Sequence, residues 1–147
     1  MTLYLLLIAS LLLAALSGIC KAIKDTLAHH YPNSRLRSLR PAQWWDASVS
    51  WKNKYRDYDR GDTRARFPGS KTILVAFTDA WHLFDNLAHL LVIITSVTAG
   101  VAVALQSHEA NALLWGRAAL VGLAQFASLV TAFHIAYHYI LPIKNNG

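Results

Sequence analysis

Three apolar blocks of membrane-spanning length dominate this chain, and they leave few folds open to it. They run from about Leu3 to Ile19, from Leu87 to Leu105 and from Ala112 to Phe133. Each is long enough to cross about 30 Å of hydrocarbon at a rise of about 1.5 Å per residue. Lipid offers backbone groups no hydrogen-bond partners, and only a helix satisfies them within such a segment. The blocks are continuous rather than alternating, which selects helices. The sequence therefore predicts an all-α membrane protein with three transmembrane helices. The short polar stretch 106–111 makes the last two an antiparallel hairpin, and the first is an N-terminal anchor. No Lys or Arg precedes the first block, and Lys21 and Lys24 follow it, so it reads as a retained anchor rather than a cleaved signal. Cys20 is the single cysteine, which excludes a disulfide framework and any cysteine-rich metal site.

Twelve of the fourteen Lys and Arg residues lie between Lys21 and Lys71, and Lys144 follows the last span. Positive residues mark the cytoplasmic side. The expected arrangement has the N-terminus outside, the connector and C-terminus in the cytoplasm, and the chain in a bacterial inner membrane. The organisation reads as an anchor with a cytoplasmic extension (1–30), a basic connector (31–71), the hairpin (72–141) and a tail (142–147). Within the connector, Trp44, Trp45, Trp51, Tyr55 and Tyr58 are interleaved with Lys52, Lys54, Arg56 and Arg60. Amphipathic rings beside cationic side chains suit the headgroup layer of an anionic leaflet. Membrane lipids are thus the expected partners and nucleic acid is not, because the membrane already accounts for the charge.

Polar residues beyond the apolar blocks carry the chemical expectations. The first helix extends through Asp25 and His29 and stops before Pro32. The second is expected to begin near Thr72, making it about 33 residues long, and the third to continue to about Leu141 before Pro142. At 100° per residue, Asp79, His82 and His89 share one stripe of the second helix, with Asp85 beside it. His134 and His138 stand one turn apart on the third. With the hairpin turn centred near residue 108, His82 comes level with His134, and His138 with Thr78. Carboxylates and imidazoles from three helices then meet at one depth. Imidazole nitrogen with carboxylate oxygen suits a divalent metal, zinc first, with iron or manganese as alternatives. The expected ligands are His82, His134, His138 and Asp79, with Asp25, His29 and Asp85 either surrounding them or forming a second metal position. Asp79 or Asp85 would act as base on a metal-activated water.

The segment His134-Ile135-Ala136-Tyr137-His138, with Asp79 and His82 on an earlier helix, resembles the zinc motif of the alkaline ceramidase and adiponectin-receptor superfamily. That resemblance implies an interfacial lipid amidase with three histidine ligands and an activated water. The superfamily has seven spans where this chain has three. Ser50-Trp51-Lys52-Asn53-Lys54-Tyr55 with Thr78-Asp79-Ala80-Trp81-His82-Leu83 is similar to small uncharacterised bacterial membrane proteins, a likeness that implies no activity.

Two functional expectations lead, ahead of a transport or proton-relay role for the intramembrane titratable residues. One is a small metal-dependent membrane protein, a hydrolase or oxidase acting on a lipid-like substrate at the cytoplasmic leaflet. The other is a non-catalytic subunit or scaffold whose tryptophan-rich basic connector binds lipid or a partner, in a homo-oligomer or a larger membrane complex.

Overall fold

Every fourth residue along one face of the first span is small: Ser10, Ala14, Gly18 and Ala22, continued by Thr26. In lipid, where apolar side chains gain little by meeting one another, small residues let helix backbones approach closely. This seam organises the fold. The computed structural model describes residues 2–55, 64, 66–105 and 111–143. It contains α1 (Thr2–His29), the one-turn helix α2 (Ala42–Trp45), α3 (Ala80–Ala104) and α4 (Asn111–Ile135), the last continued by a π-helical turn at Ala136–Ile140. Three helices are long and apolar enough to cross a membrane, and no strand occurs among the described residues. The expected all-α architecture with three such helices is what the chain adopts.

The helix that α3 and α4 both pack against is α1, and they touch each other sparsely. Ser10, Ala14, Ser17, Gly18 and Ala22 are buried, whereas Leu5, Ile8, Leu12 and Leu16 point outward, as lipid-facing residues would. On the α3 side, the Ser17 hydroxyl donates to the Ala88 carbonyl at 2.9 Å. Ala80, Ala88, Thr95, Ala99 and Ala102 are the buried residues along that helix. On the α4 side, the Ser128 hydroxyl donates to the Leu11 carbonyl at 3.0 Å. Gly18 lies so close to α4 that a Cβ there would stand 2.2 Å from the Leu129 carbonyl oxygen. These pairings run α1 antiparallel to α3 and parallel to α4. The stretch 106–110, which the sequence reading makes the hairpin turn, lies outside the described residues. So do Arg56 to Arg60 and the tail from Lys144.

The second span begins later than expected. Instead of one helix from Thr72, a 3₁₀ segment occupies Ile73–Phe77, and α3 starts at Ala80. Asp79 is extended (φ −164°, ψ 161°) and its carboxylate accepts the His82 backbone N–H at 2.8 Å, so it is the N-cap. A short acidic side chain competes with the helix for backbone donors and thereby starts one. The β-branched residues Thr72, Ile73, Val75 and Thr78 favour helix weakly, which gives that cap its advantage.

Where the three helices end, the connector folds back over them. Ala22, Leu27, Tyr31, Leu36, Ala80, Ala136 and Leu141 form a buried cluster, with Trp44, Trp45, Trp81, Phe84, Phe133 and Tyr137 packed around it. The Arg35 N–H donates to the Leu141 carbonyl at 2.9 Å and the Ile143 N–H to the Asn33 carbonyl at 3.0 Å, tying the end of α4 to the segment after α1. The Asn53 carboxamide donates to the Thr78 carbonyl at 2.8 Å and accepts from Gln43 at 2.7 Å, stitching the connector to the entrance of α3. Trp44 and Trp45 are therefore part of a folded cap. Burial first, and the Asp46 carboxylate second, push the Tyr31 phenol above its ordinary value, with Arg40 and Arg37 pulling the other way.

Candidate functional site

Asp79 is the best-made polar feature at the cap end. It is 2% exposed. Besides the His82 N–H, its carboxylate meets the His82 ring, with Nδ1 2.7 Å from both oxygens. The Thr78 hydroxyl shares its hydrogen between the Val75 carbonyl at 2.7 Å and Asp79 Oδ2 at 3.0 Å. A carboxylate held this way fixes the orientation of the imidazole ring through Nδ1 and turns Nε2 away from it. A cavity of about 210 Å³ adjoins the pair, lined by Ser50, Trp51 and Lys54 from the connector and Ala28 from α1. An oriented imidazole in a cavity can serve as a general base. The same arrangement equally well fastens a helix start.

The other candidates are placed elsewhere. Asp25 and Asp85 meet on one cation: Lys24 Nζ is 3.4 Å from Asp25 and 3.6 Å from Asp85. It also lies 5.2 Å from the centre of the Trp81 ring. The Lys24–Asp85 pair thus joins α1 to α3, while Asp25 meets the same lysine within α1. His29 is exposed, its ring edge-on to His30 at 6.4 Å. His89 is also exposed, with Nδ1 2.8 Å from the Asp85 carbonyl one turn back. His134 and His138 contact each other, ring centres 4.5 Å apart, and both are exposed.

Among the described residues, no three of His, Cys, Asp and Glu are grouped so as to hold one metal ion. The expected convergence of His82, His134 and His138 is therefore not what the fold makes. Two physical reasons account for this. The depth estimate assumed that the second and third spans face each other, whereas α1 is the helix against which both pack. It also assumed that Asp79 lies on the helical stripe, whereas its carboxylate turns back to cap α3.

A second polar site lies where α1 ends against α4, and the sequence reading did not assemble it. Thr26, His30, Asn33, Ser34, Tyr137 and His138 line a cavity of about 290 Å³ there, closed by Pro142 and Ile143. The Thr26 hydroxyl is buried without a hydrogen-bond partner. His30 meets Tyr137 edge-on at 5.6 Å, and Tyr137 stacks on Phe133 at 5.3 Å. The π turn carries Tyr137 and His138, and its wide hydrogen bond runs from the Leu141 N–H to the Ala136 carbonyl at 2.9 Å. Such turns shift side-chain register within a helix and recur at functional sites. Two signals in the sequence point here: Thr26 and His30 share a face at i, i+4, and Tyr137 sits beside His138.

Fold and sites together define a small protein built on three helices long and apolar enough to cross a membrane, with a folded, tryptophan-rich basic cap at one end. No protein-family profile, curated protein or solved structure matches the chain.

Proposed function

We propose that this chain is an integral-membrane scaffold whose basic cap engages the anionic headgroups of the cytoplasmic leaflet. One observation carries this reading. Arg35, Arg37 and Arg40 follow one another around the cap, all exposed, and none forms an ion pair among the described residues. Lys52 lies 5.9 Å from the centre of the Trp51 ring, and that pairing suits the same layer. Each cationic side chain near an anionic surface contributes about 1 kcal/mol of attraction, weakened by salt. In nanodiscs of mixed neutral and anionic lipid, the protein should enrich anionic lipid around itself. The triple variant Arg35→Gln/Arg37→Gln/Arg40→Gln should lose most of that enrichment, as should the unaltered protein in high salt. Equal enrichment in all three conditions would remove the reading.

The Asp79–His82 pair, beside a cavity at the same end, favours a second reading. This is a metal-dependent hydrolase or oxidase acting on a lipid-like substrate, with a homo-oligomer or larger complex completing the ligand set. Zinc, iron or manganese should then copurify at about one per chain. His82→Gln and the double variant His134→Ala/His138→Ala should each lower that content. Metal at trace level in folded protein counts against it.

A further inference from the structure

The cavity between the end of α1 and the π turn of α4 has the chemistry of a phosphate site. We infer that Thr26, His30, Tyr137 and His138, flanked by Arg35 and Arg37, bind a phosphate group such as that of an anionic phospholipid. The inference rests on the lipid-binding reading of the cap and gives it a specific pocket.

Three observations lead there. Thr26 is 2% exposed and its hydroxyl has no partner, although a helical threonine ordinarily has a carbonyl one turn back within reach. A buried donor left unmade costs free energy, so a ligand supplying an acceptor oxygen is favoured at this point. The rest of the lining is rich in donors: the imidazoles of His30 and His138, the Tyr137 phenol and the Asn33 carboxamide. Among the described residues, no Asp or Glu lines the cavity. Finally, Ser34 and Ile143 also border a neighbouring cavity lined by Arg35, Arg37 and Ser38. The two hollows adjoin, and both guanidinium groups are without carboxylate partners among the described residues. Guanidinium forks match phosphate oxygens in geometry as well as charge. The position fits as well, because the cavity opens at the end of two helices long enough to span a bilayer.

Short-chain lipids in neutral detergent provide the test, with binding followed by calorimetry on the full chain. Dioctanoyl phosphatidic acid should bind saturably at one per chain, and dioctanoyl phosphatidylcholine should not. Thr26→Val should weaken binding about tenfold, the loss of one hydrogen bond to a charged group, while Thr26→Ser retains it. Should the valine variant fail to fold, the exposed positions permit Arg37→Gln and His138→Gln, each of which should also weaken binding. Inorganic phosphate separates the sources. Affinity matching the phosphatidate assigns the site to free phosphate, and affinity at least tenfold lower assigns it to lipid. Absence of saturable binding by either ligand overturns the inference, as does unchanged binding in folded Thr26→Val. Anionic enrichment that depends on the arginines but not on Thr26 would leave the scaffold reading standing and remove this pocket. Thr26-dependent phosphatidate binding without enrichment in nanodiscs would do the reverse.

Discussion

Gly18→Ala should loosen α1 from α4 and destabilise the bundle by about 3 kcal/mol, at the upper end of the range for overpacking a close contact. The added methyl would stand 2.2 Å from the Leu129 carbonyl oxygen and 3.1 Å from the Phe133 nitrogen. Both are backbone atoms of a helix, so no side chain can rotate away and the helices themselves must separate. Separation would also stretch the Ser128–Leu11 hydrogen bond, now 3.0 Å, within the same seam. Unfolding midpoints in mixed detergent measure the loss. Spin labels on the outer faces of α1 and α4 should report an increased distance. Gly100→Ala is the matched control, since a Cβ there meets nothing within 4 Å. It should be neutral or slightly stabilising, because alanine is the better helix former. Equal effects at the two glycines would show that α1 is not the helix on which the bundle is built.

Asp79→Ala should cost about 2 kcal/mol, the upper range for losing an N-cap, because one carboxylate serves several donors at once. Its removal strands the His82 N–H and frees the His82 ring and the Thr78 hydroxyl. Asp79→Asn should cost less, since a carboxamide oxygen can still accept the cap hydrogen bond. His82→Gln should cost less again, because that side chain is 27% exposed and water can replace its contact. Hydrogen exchange localises the effect. Amides from Ala80 to Phe84 should lose protection in the alanine variant, while the centre of α3 keeps it. Uniform loss across α3 would mean that Asp79 supports the whole bundle rather than the start of one helix.

Much of the architecture was legible from apolar run length alone. Three blocks implied three helices, and the end of α1 followed from the proline at position 32. Helix partnership was less legible, because the polar stretch 106–111 points to the last two helices as neighbours, whereas both pack mainly on α1. The spacing of Ser10, Ala14, Gly18 and Ala22 was present in the same sequence and identifies α1 as the helix that packs on both sides. The start of α3 was misplaced for a local reason. Helical periodicity counted Asp79 as one more residue on a stripe, although an acidic residue after Thr78 also reads as a cap. Among the candidate residues, Asp79 and His82 meet through the cap of α3 rather than along a helical stripe, and Asp25 and Asp85 meet a lysine that the chain presents only as part of a basic edge. For Thr26 the sequence offers only its helical spacing to His30, since an unpartnered hydroxyl exists only once neighbouring helices surround it.

By itself, the order of residues determined the number of long helices, their apolar character and the gathering of positive charge into one connector. These depend on hydrogen bonds and transfer free energies that are local to each segment. Only the tertiary structure decided which helix the others share, which carboxylate caps and which pairs with lysine, and which polar groups line a common hollow. Those outcomes depend on backbone approach within a few ångström between residues distant in the chain, as where Gly18 meets Leu129.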